Sequence, residues 1–132
     1  MELNDKVKSW INISDYDLET AKAMLKTERY LYVGFMCHQA VEKILKGYYE
    51  LKKNVEPPYT HNLIYLTELN EIFNNLTEKQ KDFLGKLQPL NIRARYPIYK
   101  EKLFKELTKE ICEEILEETK EFIKWVKKKL LV

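Results

Sequence analysis

The residues best equipped for chemistry in this chain are its scarcest. Only three of the 23 basic residues are arginine, and two of these, Arg93 and Arg95, stand two apart in the segment Asn91-Ile92-Arg93-Ala94-Arg95-Tyr96-Pro97. A guanidinium presents a planar fork that matches phosphate or carboxylate, and the face of Tyr96 can stack on a base. The segment therefore suits a nucleotide or an RNA phosphate. The plainer reading is a buried arginine that ties this loop to a helical carboxylate such as Glu42. Upstream, His38 and Glu42 are four apart, a spacing that puts two metal ligands on one helix face. No Glu-x-x-His pair elsewhere completes such a site, and a partly buried histidine that satisfies its ring nitrogens locally fits better. Glu42 and Lys46 follow at one turn, in the favourable order for an ion pair.

Other chemistries fall away. The glycines Gly34, Gly47 and Gly85 sit singly inside helical patterns, so no loop can cradle a phosphate with successive backbone amides. Ser9 and Ser14 have no histidine nearby in sequence and no strained elbow. Cys37 and Cys112 form no metal-type spacing and are expected to be buried as small hydrophobes. The start MELNDKVKSW lacks the apolar stretch of a signal peptide, so the expected location is the cytoplasm, with reduced thiols.

Helices must position these residues. A chain of 132 residues, 45% hydrophobic and 33% charged, has the make-up of one globular domain over 1–132 with no membrane span. Three glycines and four prolines are too few for the turns of a strand-rich fold. A net charge of +2 and a pI near 8.4 give no general attraction for nucleic acid, so any basic site must be local.

Apolar periodicity predicts an all-α fold, an antiparallel up-down bundle of four to five helices. The first helix covers Asp5 to Lys26, with Val7, Ile11, Leu18, Ala21 and Leu25 on one face. The second runs from Arg29 to Lys53 with Leu31, Phe35, His38, Val41, Leu45 and Tyr48 inward, and Pro57 and Pro58 stop it. A third opens at Thr60 or His61 and ends at Asn74 and Asn75. A fourth follows the capping-box pattern of Thr77 and Gln80 and runs through Leu87. Pro89 and Pro97 make the segment from Leu90 to Tyr99 irregular, with Tyr96 held extended. The last helix is expected from about Glu101 to Leu131, with Phe104, Leu107, Ile111, Ile115, Phe122 and Val126 inward. Its other face, Glu110, Glu113, Glu114, Glu117 and Glu121, is a solvated acidic run.

The segment AVEKILKGYY of the second helix, then the prolines, then Thr60-His61-Asn62-Leu63, then Arg95-Tyr96-Pro97, resembles the HEPN domain in order and spacing over nearly the whole chain. The resemblance implies a small helical bundle, commonly a homodimer. It also implies a nucleotide-binding role and frequent pairing with a minimal nucleotidyltransferase in prokaryotic toxin-antitoxin systems. The positions that match are Glu42, Lys43, Lys46, His61, Arg95 and Tyr96. Many HEPN proteins are metal-independent ribonucleases marked by an arginine followed four to six residues later by a histidine, and here neither Arg93 nor Arg95 has one. The expected site is thus a phosphate-binding groove of Arg93, Arg95, Tyr96, Lys43 and Lys46, supported by Glu42, His61 and His38. No catalytic residue, cofactor or metal is assigned. The alternatives are a divergent ribonuclease toxin that uses His61 or His38 as general base, and a non-catalytic dimeric docking scaffold.

Overall fold

A computed structural model describes residues 3–131. Helix α1 spans Asp5–Lys26; the Asn4 side chain caps it by accepting from the Val7 amide at 2.9 Å, and Asp5 in the first turn complements the helix dipole. Helix α2, Tyr30–Lys53, ends where Asn54 turns left-handed with φ of 55°. The break thus precedes Pro57, and an asparagine in the αL region makes it.

The third helix is shorter than the pattern suggested. Helix α3 covers only Leu63–Leu69 because Asn62, extended at φ −83° and ψ 106°, caps it through the Tyr65 amide. His61 therefore lies outside the helix, in the loop that leads to it. Glu71, at φ of 61°, ends the helical path, and a 3-10 turn at Phe73–Asn75 replaces the rest. Helix α4, Glu78–Leu87, carries the complete capping box between Thr77 and Gln80. Thr77→Ala should cost about 1 kcal/mol in a denaturant titration, the usual worth of such a cap.

Pro89 opens the single turn α5, Leu90–Arg93, and Tyr96 is extended at φ −110° and ψ 126° before Pro97. Pro97 then starts helix α6, Pro97–Glu106, at a first-turn position where its missing N–H costs nothing. The long last helix expected from Glu101 is cut in two. Leu107, at φ −89° and ψ 83°, leaves the helical region, and Thr108 caps α7, Lys109–Leu130, through the Ile111 amide. That break shifts the phase of the apolar stripe. Phe104, expected inward, is 62% exposed and Ile111 39%, Leu103 takes a buried place instead, and Leu107 is buried as expected.

The fold is an all-helical antiparallel bundle around α2, whose Val33, Cys37, Val41, Ile44 and Leu45 are fully buried. Helix α1 runs back along one side of it, with Ser14 Oγ donating to the Ala40 carbonyl at 2.7 Å and Trp10 reaching Glu50. Helix α7 lies on the other side in the same sense as α2, with Cys112 against Tyr30 and Thr119 against Cys37. Gly47 permits the close approach of α1: a Cβ there would stand 2.9 Å from the Cβ of Trp10. Gly47→Ala should therefore destabilise the fold by about 1–3 kcal/mol through overpacking, read from the shift in the denaturant midpoint.

Both cysteines are free and buried. Burial pushes the Cys37 thiol up to about 12 and the Cys112 thiol to about 11, so neither is a thiolate near neutrality. Among the described residues, no helix is long and apolar enough to cross a membrane.

Candidate functional site

The middle of α2 carries a polar cluster in an otherwise apolar helix. Glu42, only 1% exposed, lies at its centre. Its Oε2 accepts from Lys46 Nζ at 3.0 Å, and its Oε1 accepts from His61 Nδ1 at 2.8 Å. Lys43 Nζ stands 4.0 Å away. Burial by itself would raise the Glu42 carboxyl, but the hydrogen bonds from His61 and Lys46, with the charges of Lys46 and Lys43, outweigh it and hold the group below the usual carboxylate range.

This geometry fixes the ring of His61. A carboxylate only accepts, so Nδ1 bears the hydrogen, and the other ring nitrogen belongs to a side chain that is 58% exposed. The backbone of His61 is fixed as well: its carbonyl accepts from His38 Nε2 at 3.0 Å and from Gln88 Nε2 at 3.1 Å. His38 is fully buried, as its spacing suggested, and satisfies one nitrogen locally. Its Nδ1 has no hydrogen-bond partner and lies 3.8 Å from Glu42 Oε1. Desolvation lowers the His38 pKa to about 4 despite the pull of Glu42, so the ring is neutral at ordinary pH.

A second chain of contacts leads from α2 to the arginine segment. Lys43 Nζ donates to Gln39 Oε1 at 2.8 Å, Gln39 Nε2 donates to Asn91 Oδ1 at 3.1 Å, and Arg95 Nε donates to the Asn91 carbonyl at 2.9 Å. The expected tie between an arginine and Glu42 is not made. His61 and the two lysines surround that carboxylate, and Arg95 fastens to backbone four residues earlier, with the terminal nitrogens of its guanidinium left without a partner among the described residues. Arg93 pairs with Glu106 at 3.0 Å across the α5–α6 corner. Tyr96 is half exposed beside them.

The structure therefore brings Glu42, His61, His38, Lys43 and Lys46 into one cluster, and Gln39 and Asn91 join Arg95 to it. Lys46, placed in the groove by the sequence reading, is 6% exposed, bonded to Glu42 and 6.0 Å from the Trp10 ring, so its ammonium is turned into the cluster. Three participants were not singled out from sequence. Gln39 precedes Lys43 by one turn and Asn91 opens the arginine segment, so helical spacing offers a weak signal for the first alone. Asp17 of α1 has no sequence signal. It comes near Lys43 and Glu42, where burial chiefly, and the charge of Glu42, raise its pKa against the opposing pull of Lys43. Among the described residues no group of three or more histidine, cysteine or acidic side chains is placed to hold a metal ion.

The central helix of the bundle thus buries a glutamate against a lysine and takes a histidine from the loop beyond that helix. The chain belongs to the HEPN family: the HEPN domain model matches residues 7–129. Two solved structures share the fold. One is TT1696 from Thermus thermophilus, with a TM-score of 0.80 and 20% identity over 96% of this chain and 99% of that one. The other is ST0689, an archaeal HEPN homologue, with a TM-score of 0.65 and 22% identity over 98% of each chain. No curated protein matches the sequence.

Proposed function

We propose that this HEPN protein binds the phosphate of a nucleotide or of RNA on the surface between His61 and Arg95, without rapid hydrolysis. The observation that carries this reading is the double attachment to α2: Glu42 holds the exposed imidazole of His61, and one turn earlier Gln39 holds the segment that presents Arg95. Lys43 lies between these attachments. Arg93 adds to the set, because an exposed pair such as Arg93 with Glu106 is worth only about 0.2–1 kcal/mol and yields readily to phosphate. Tyr96 supplies an exposed ring for stacking. Lys46 belongs to the support with Glu42 and His38.

Labelled RNA and ATP titrated at two salt concentrations test the proposal. With Arg93, Arg95 and Lys43 each meeting one phosphate, affinity for single-stranded RNA should fall roughly 10- to 20-fold between 50 and 200 mM salt. Arg95→Ala should weaken binding and flatten that dependence. Salt-independent binding, or none, would leave the docking scaffold as the better account.

One observation favours a second reading, a divergent ribonuclease. A buried carboxylate that orients an imidazole and leaves its far nitrogen accessible is the arrangement of a general base. RNA cleavage that disappears in His61→Ala, seen on a gel after long incubation, would establish it over simple binding.

The proposal includes a homodimer. Ile98, Phe104, Tyr96 and Tyr99 are exposed on α6 and its approach, at 82%, 62%, 52% and 44%, an apolar face suited to a second copy. Light scattering should give twice 15.9 kDa, and Ile98→Asp with Phe104→Asp should return the monomer. The pairing with a minimal nucleotidyltransferase that the family suggests is tested by co-purification from the native host.

A further inference from the structure

We propose that Gln88 is the positioning residue that joins the two halves of the phosphate site, fixing the loop of His61 against the segment that presents Arg95. The inference rests on the reading of that surface as a phosphate site and adds the side chain that sets the span between its halves. Gln88 is half-buried at the end of α4, and Pro89 follows it directly and opens α5.

The carboxamide of Gln88 is used at both ends. Its Oε1 accepts from the Leu63 amide at 2.6 Å, and its Nε2 donates to the His61 carbonyl at 3.1 Å. These partners fix the orientation of the group, since an N–H needs an acceptor and a carbonyl needs a donor. Leu63 is the first residue of α3 and fully buried, so its N–H is one of the donors that the helix itself cannot satisfy. Asn62, which lies between the two contacts, caps the Tyr65 amide. Gln88 thus holds the residue on either side of that cap.

On its other side Gln88 is continuous with the arginine segment through the backbone. Its own N–H donates to the Leu84 carbonyl at 2.9 Å, the Arg93 amide donates to the Pro89 carbonyl at 3.0 Å, and the Arg95 amide donates to the Ile92 carbonyl at 3.0 Å. Among the described residues, Gln88 is the one side chain that hydrogen-bonds this path to the His61 loop. The bond between Gln39 and Asn91 ties the path to α2 and leaves the loop to Gln88. Removing the carboxamide therefore separates the halves while the contacts of His61 with Glu42 and of Arg95 with Asn91 remain.

The test compares Gln88→Met, which keeps the length of the side chain and loses both bonds, with Thr77→Ala at the opposite end of α4. Amide hydrogen exchange of the ligand-free full-length chain, followed by NMR, should show Leu63, Tyr65, Arg93 and Arg95 losing protection together in Gln88→Met, by about five- to tenfold, and unchanged in Thr77→Ala. In the RNA titration Gln88→Met should weaken affinity about five- to tenfold, because the arrangement that binds is then only fractionally populated, and Thr77→Ala should not change it. Should Gln88→Met fail to fold by circular dichroism, Gln88→Glu, which keeps an acceptor for Leu63 and lacks the donor for His61, should show a smaller loss at the same four amides. Loss confined to Leu63 and Tyr65 would make Gln88 a helix cap only and overturn the proposal, as would an equal loss in Thr77→Ala or unchanged RNA affinity in folded Gln88→Met. A wild-type chain that binds neither RNA nor ATP would remove the phosphate reading itself, and the exchange comparison would still decide whether Gln88 joins the loop to the segment.

Discussion

Glu42→Ala should be the most damaging single substitution in the bundle, costing about 3–5 kcal/mol, because it removes one partner of a buried ion pair and leaves the other charge uncompensated. Lys46 is 6% exposed and its ammonium donates to Glu42 at 3.0 Å. Without the carboxylate that charge stays in an apolar helix interface, and His61 loses the acceptor that orients it. For a chain of this size the loss corresponds to roughly 10–20 °C in Tm. A double variant distinguishes pairing from packing. Glu42→Leu with Lys46→Met should recover much of the stability, since a buried pair exchanged for apolar residues of similar volume is often neutral, yet it should not recover any function that needs His61 held in place. A Glu42→Ala protein within about 1 kcal/mol of wild type would show that solvent reaches Lys46 and that the cluster is not a buried unit.

The second large effect is on pH dependence. His38 is fully buried, and desolvation lowers its pKa from the usual 6.5 to about 4, against the opposing charge of Glu42 and the hydrogen bond to the His61 carbonyl and with the smaller help of the His61 ring and Lys43 charges. Between those values the unfolded chain takes up a proton that the folded chain refuses. Stability should therefore fall as pH drops from about 6.5 to about 4, by a total near 3 kcal/mol, and be flat with respect to this group above 6.5. Glu42 acts in the same direction at lower pH. Its folded pKa is depressed, so the stability it contributes is present above its usual 4.5 and is lost as pH falls below that value. Denaturant titrations from pH 7 to pH 4.5 should show the decline in wild type. His38→Leu should lower stability at pH 7 by losing the bond to the His61 carbonyl, but flatten the slope. An undiminished slope in His38→Leu would assign the dependence to another group.

Much of the frame was legible in the sequence because it rests on local rules. The stripe from Val7 to Leu25, the cap at Thr77 with Gln80, the extended residue before Pro97 and the HEPN pattern of AVEKILKGYY each depend on residues within a turn or two of one another. The ion pair of Glu42 with Lys46 was legible for the same reason. The ends of helices were less so. Asn54, Glu71 and Leu107 stop α2, the third helix and α6 through backbone conformations that neither proline nor glycine announces.

What only the tertiary structure decided is which partner each polar group takes. His61 and Glu42 are 19 residues apart, and Gln39 and Asn91 are 52 apart. Helical periodicity carries no information across such distances. An arginine was the partner expected for Glu42, because its planar fork matches a carboxylate. The packing of the loop before α3 against α2 gives the carboxylate to His61, because Asn62 caps α3 late enough to leave His61 in that loop. Arg95 is then held by the Asn91 carbonyl, at a position exposed to solvent. The sequence determines the helices and the chemical inventory through interactions local along the chain; the assignment of one buried charge to one partner follows from how those helices exclude water, which only the packed bundle sets.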